Sequence, residues 1–177
     1  MIKTMIVEDE KLARDELKFL IEEDPDFKVL SEIANGKKAL EILKENKWDH
    51  TEAYCSNKSI CEDFDHTHLT FNKNLGACFF LSDCEFLISN TGAILMSSCQ
   101  LGDKKLSDLP LNFIIIAKTS QLIKTIGEGL QNINKRYDRN LPTNITTIKT
   151  FDENKDSDFM NYGSTPKNLY LLLLEDL

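Results

Sequence analysis

Two short segments of this chain carry residues suited to holding an anion. Asn90-Thr91-Gly92 lies between the apolar runs Phe86-Leu87-Ile88-Ser89 and Ala93-Ile94-Leu95-Met96-Ser97-Ser98, and Thr119-Ser120 follows Phe113-Ile114-Ile115-Ile116-Ala117. Backbone N–H groups exposed at a turn or at the start of a helix favour carboxylate or phosphate. Asn90, Thr91, Gly92, Thr119 and Ser120 are therefore the candidate ligand-binding residues, for a small anionic ligand. Each also has a plainer use: Gly92 can adopt a positive φ in a hairpin, and Thr119 or Ser120 can cap a helix. Ligands of parallel α/β sheets usually lie beyond the carboxyl ends of the strands, which favours Thr119 and Ser120.

Other groupings carry less. Cys61, Asp63, Asp65, His66 and His68 collect metal-ligating types in one polar stretch, at spacings that match no zinc pattern. Five cysteines form no Cys-x-x-Cys pair, which argues against an iron–sulfur cluster in this chain and for free thiols packed as small apolar residues. Gly127-Glu128-Gly129 lacks the third glycine of a dinucleotide fingerprint and sits inside a helical pattern, so helix packing or a bend explains it better. No nucleophile–base motif occurs, so the motifs identify no catalytic residue and no cofactor.

The elements that position these residues alternate between strand and helix. Lys3 to Val7 reads as a buried strand, and Leu12, Ala13, Leu17, Leu20 and Ile21 as one face of a helix that Asp24-Pro25-Asp26 stops. Phe27 to Ile33 is a strand, Asn35-Gly36 a turn, and Ala39 to Leu43 the face of a second helix ending near Trp48. Glu52 to Ser56 is a candidate strand, and Asn57 to His68 a loop or short helix. Phe113 to Ala117 is apolar throughout, as a strand covered on both faces would be. Leu122, Ile123, Ile126, Leu130, Ile133 and Tyr137 predict a long helix capped by Thr119 or Ser120, ending at Asn140 and Pro142. Strands follow at Asn144 to Lys149 and Leu169 to Leu174. The expected fold is α/β: three layers, a mostly parallel sheet with helices on both faces, and one hairpin around Asn90 to Gly92.

Composition bounds the rest. At 177 residues, 41% hydrophobic and 28% charged, the chain reads as one globular domain. A net charge of −8 opposes attraction to phosphate backbones and anionic lipid, so neither nucleic acid nor membrane is an expected partner. Acids early in the chain break any signal-peptide core, and a cytoplasmic location is the expectation.

Two resemblances sharpen this reading. Ile6-Val7-Glu8-Asp9-Glu10-Lys11-Leu12-Ala13-Arg14 and Ile33-Ala34-Asn35-Gly36-Lys37-Lys38-Ala39-Leu40 resemble the opening of a response-regulator receiver domain, over residues 1 to 48. That resemblance implies a Mg²⁺ site at Glu8 and Asp9, the acidic pair after the first strand. The phosphoacceptor aspartate is missing after Trp48-Asp49, where the chain reads Glu52-Ala53-Tyr54-Cys55-Ser56.

From about Asn46 onward, Phe79 to Leu95, Leu106 to Pro110 and Phe113 to Ala117 are similar to the LUD family of lactate-utilisation proteins. This resemblance implies a fold related to the ribose-phosphate isomerase and CoA-transferase group. It also implies an accessory or ligand-binding role in oxidising L-lactate to pyruvate beside iron–sulfur and dehydrogenase partner proteins. Many members carry a Gly-Pro-Ser-x-Thr-Ala-Asp-like motif where this chain has Asn144 to Thr150. Together the resemblances describe one α/β domain, built from a βαβα segment over 1–48 and a LUD-like segment over 49–177. The rival readings are a receiver-like signalling module with a degraded phosphoacceptor site, and a chimeric fold without function.

Overall fold

A strand that is apolar at every position needs cover on both faces, and the chain supplies it by placing two such strands in the interior of one sheet. The computed structural model describes residues 2–7, 11–23, 27–33, 43–64, 68–72, 76–138, 140–148, 168–174 and 176. In order these form β1 (Ile2–Val7), α1 (Lys11–Glu22), β2 (Phe27–Ile33), β3 (Glu52–Tyr54), α2 (Lys58–Asp63), β4 (Thr70–Asn72), β5 (Phe79–Asp83), β6 (Phe86–Ile88), β7 (Ala93–Met96), α3 (Ser98–Leu101), β8 (Asn112–Lys118), β9 (Leu122–Ile123), α4 (Ile126–Tyr137), β10 (Thr146–Ile148) and β11 (Asn168–Leu174). Among the described residues the larger sheet has seven strands in the order β2-β1-β11-β8-β5-β3-β4. Every pairing in it is parallel.

Alternation along the two central strands sorts the core into two layers. Phe113, Ile115, Ala117, Leu169, Leu171 and Leu173 face one way and meet Leu17 and Ile21 of α1. Ile114, Ile116, Tyr170, Leu172 and Leu174 face the other way and meet Ile60, Cys61 and Phe64 in and just after α2. The three-layer α/β fold expected from the sequence is the fold observed. The two expected amino-terminal strands are there too, with β1 hydrogen-bonded between β2 and β11.

A second sheet, β10-β7-β6-β9, continues β5 and β8 beyond a break. β5 and β8 are parallel neighbours, and after two and three residues respectively the chain resumes as β6 and β9, which are parallel neighbours again. β6 and β7 form the expected hairpin, and Gly92 has a φ of 60° in its turn.

Several expectations are corrected. Leu12 is 77% exposed, because five residues at 100° each turn it about 140° away from Leu17. The long helix starts at Ile126, not at Thr119 or Ser120. Leu122 and Ile123 are claimed instead by pairing with Leu87 and Ile88. The Thr125 hydroxyl caps the helix by accepting from Glu128 N–H at 3.2 Å. The same helix ends at Tyr137, and Asp138 takes a φ of 44° after it. Strand β4 had no counterpart in the sequence reading. Residues 34–42, where a second helix was expected, and the acids Glu8 and Asp9 lie outside the described residues.

Gly127 and Gly129 differ in what surrounds them. A Cβ on Gly129 would lie 2.9 Å from Leu95 Cδ2 and 3.0 Å from Ile123 Cδ1, so this glycine lets α4 press onto the small sheet. A Cβ on Gly127 would meet nothing closer than 3.9 Å.

Two outcomes follow. Gly129→Val should cost about 1–3 kcal/mol through overpacking, while Gly127→Ala should add about 0.5–1 kcal/mol through helix propensity. Urea unfolding of the two variants reads the opposite signs. Deleting residues 1–48 strips β11 of β1, one of its two partners, and exposes a largely apolar seven-residue edge. That truncation should lose cooperative thermal unfolding and self-associate in size-exclusion chromatography.

Candidate functional site

The carboxyl ends of β3, β5, β8 and β11 lie side by side, and the polar residues gather there because both faces of the sheet are apolar. Such an edge is where open α/β sheets bind ligands. It holds two groups of residues with opposite hydrogen-bonding character.

The first group, rich in donors, follows β8. One carboxylate, that of Asp176, is held by three neighbours in sequence. Oδ1 accepts from Thr119 Oγ1 at 3.1 Å and from Ser120 N–H at 3.0 Å, Oδ2 accepts from Ser120 Oγ at 2.7 Å, and Lys118 Nζ stands 3.8 Å from Oδ2. The Ser120 hydroxyl and N–H, with Thr119 and Lys118, hold the Asp176 carboxyl below the usual carboxylate range. Thr119 and Ser120 thus occupy the predicted position at a strand end and contact a carboxylate, although that carboxylate belongs to the chain itself.

The second group, rich in acceptors, lies between β3 and β5. From β3 the chain crosses outward to β4 under α2, whereas from β5 it next enters this sheet on the opposite side, at β8. Adjacent strands that lead off in opposite directions make a topological switch point. Asp83, at the end of β5, is partly buried there. Its Oδ2 accepts from Asn57 Nδ2 at 3.4 Å, and Asn57 Oδ1 accepts from Ser59 N–H at 3.0 Å, which fixes the amide's orientation. Burial raises the Asp83 pKa, and among the described residues no lysine or arginine pairs with it. Next to it, burial pushes the Cys55 thiol up to about 12. Cys55 and Cys84 are buried, as small apolar residues would be, whereas Cys78 and Cys99 are exposed; all five are free thiols.

The break between the two sheets is sealed by side chains. Gln121 Nε2 donates to Cys84 O at 2.6 Å and to Glu85 O at 3.2 Å, while its Oε1 accepts from Lys118 N–H at 2.7 Å. Glu85 itself is 0% exposed. Ser97 Oγ donates to it at 2.7 Å, Tyr137 OH at 3.0 Å and Arg136 Nη1 at 3.2 Å. Arg136 also lies 5.0 Å over the Phe86 ring. With every oxygen of Glu85 engaged and no exposure, this cluster is architectural: it ties α3 and α4 to the start of β6.

Asn90, Thr91 and Gly92 are not gathered with Thr119 and Ser120. Asn90 N–H donates to Lys124 O at 3.3 Å and Ser89 N–H to Ile123 O at 2.8 Å, which puts the hairpin turn at the far end of β9. Among the described residues no group of three or more histidines, cysteines, aspartates and glutamates could hold a metal ion. Sequence reasoning missed Glu85 and Asp176. An acid directly before the apolar run Phe86 to Ile88, two residues after Asp83, was a signal for the first; Asp176 gave none.

A raised folded-state pKa means that ionising Asp83 costs stability, a penalty absent in acid and present once the pH exceeds the folded value. Relative to the parent chain, Asp83→Asn should therefore gain stability as the pH rises from about 3 to about 7. Denaturant midpoints at the two pH values measure this, and a parallel pair of curves would remove Asp83 from the list of strained, site-type carboxylates.

Comparison with known proteins adds family membership. Over 49 residues, 28% of this chain, it is 45% identical to the sensory transduction protein LytT of Bacillus anthracis, and it spans 20% of that protein's length. The crystal structure of a DUF162 family protein from Deinococcus radiodurans matches with a TM-score of 0.43 and 13% identity, over 79% of this chain and 98% of that one. Among the described residues no helix is long and apolar enough to cross a membrane. The LUD domain model matches residues 5–174, reaching well ahead of Asn46 to take in the second half of β1 and all of β2. The chain belongs to the LUD domain family.

Proposed function

We propose that this LUD domain chain is an accessory, ligand-binding protein linked to the oxidation of L-lactate to pyruvate, holding a small anion at the carboxyl end of β8. The observation that carries the reading is the convergence of Lys118, Thr119 and Ser120 on the Asp176 carboxylate. Two hydroxyls, an N–H and an ammonium are charge- and geometry-matched to a carboxylate or phosphate. Asn90, Thr91 and Gly92 would meet only a longer ligand that extends along β9. Family membership supports the link to lactate, and with it a cytoplasmic place beside iron–sulfur and dehydrogenase partner proteins. The absence of a nucleophile–base pair in the motifs supports binding over catalysis.

A receiver-like signalling role is the second reading, favoured by the segment identical at 45% to a sensory transduction protein. Its Mg²⁺ would be held by Glu8 and Asp9.

One assay separates them. L-lactate, pyruvate or a sugar phosphate at a hundredfold excess over its dissociation constant should stabilise the chain by about 2.7 kcal/mol. Ser120→Ala should weaken that binding by about tenfold. Stabilisation by acetyl phosphate with Mg²⁺ instead, lost on changing Glu8 and Asp9, would favour the receiver reading.

A further inference from the structure

The cradle at the end of β8 is filled by a group from another strand. Asp176 follows β11, the parallel neighbour of β8, and each of its carboxylate oxygens has its own donors: Thr119 Oγ1 and Ser120 N–H for Oδ1, Ser120 Oγ and Lys118 Nζ for Oδ2. Asp176 N–H in turn donates to Thr119 Oγ1 at 3.3 Å. Only one of the donors to the carboxylate is a backbone N–H, and the turn at Thr119–Gln121 is three residues long, so hydroxyls and the ammonium dominate the recognition. A free carboxylate or phosphate offers the same two oxygens to the same donors.

We propose that Asp176 is an internal competitor for the anion site, its carboxylate filling the Lys118–Ser120 cradle until an external carboxylate or phosphate takes its place. The inference rests on the ligand-binding reading above and adds regulation to it. Two anions cannot share one set of donors, and like charges at this range repel, so occupancy is mutually exclusive. The contacts are solvent-exposed, with Lys118 59% exposed, so screened attraction makes exchange inexpensive. Ligand capture would then release the Asp176 carboxylate from Lys118, Thr119 and Ser120, coupling occupancy of the site to that contact between the ends of β8 and β11.

The test uses the full chain, Asp176→Ala and Asp176→Asn, with L-lactate and inorganic phosphate as separate probes, read by calorimetry and by the Ser120 amide resonance. Removing the competitor restores the fraction of open sites, and Asp176→Ala should bind either probe about tenfold more tightly than the parent. Asp176→Asn, which keeps an acceptor but loses the charge, should fall between the two. Equal or weaker binding in Asp176→Ala overturns the competition while leaving the anion site standing. Failure of all three chains to bind either probe overturns the site reading and the competition with it.

Discussion

A carboxylate with no exposed surface must be compensated where it stands, and Glu85 sets that condition at the junction of the two sheets. An unpaired charge there would cost several kcal/mol, so the position of Glu85 dictates what approaches it. Ser97 comes from the end of β7 and the start of α3, and Arg136 and Tyr137 from the last turn of α4. Two segments, 12 and 51 residues along the chain from Glu85, are thereby aimed at one point. Burial first, then the neighbouring Cys99 thiol and the Glu85 carboxylate, hold the proton on Tyr137 and push its hydroxyl well above the ordinary range. Gln121 completes the junction by supplying, from its side chain, the bonds that the interrupted ladder cannot make.

With the junction fixed, the carboxyl edge is fixed too. Lys118 is held through its N–H by Gln121, and Thr119 and Ser120 must then turn toward β11. Asp83 stands one strand away in the opposite direction, turned toward Asn57. Donors and acceptors are segregated along the edge by the same strand order that buries the apolar faces. A site built this way takes its chemistry from strand ends and its stiffness from the sheet behind them.

The sequence carried the parts of this arrangement that rest on local rules. Phe113 to Ala117 announces a doubly covered strand because no position alternates, and Gly92 announces its turn because few residues accept its φ cheaply. The central sheet and the location of Thr119 and Ser120 at a strand end were legible for those reasons. Strand β9 was not, since Leu122 and Ile123 continue the helical spacing of Ile126 and Ile133, and only pairing with β6 decides against it. The Thr125-x-x-Glu128 spacing pointed to the true helix start, but the longer apolar rhythm masked it. The roles of Glu85 and Asp176 depend on partners 51 and 56 residues away, beyond any pattern read along the chain.

The pairing of β1 with β11 has a kinetic side. Lys3 lies opposite Tyr170, so the sheet's interior closes only between segments from the two ends of the described chain. At ordinary synthesis rates β1 would wait on the order of ten seconds before its partner emerged. During that interval the apolar edges of β1 and β8 are both without β11. High contact order of this kind predicts slow folding and a need for chaperone shielding during synthesis, set by the order of strands alone.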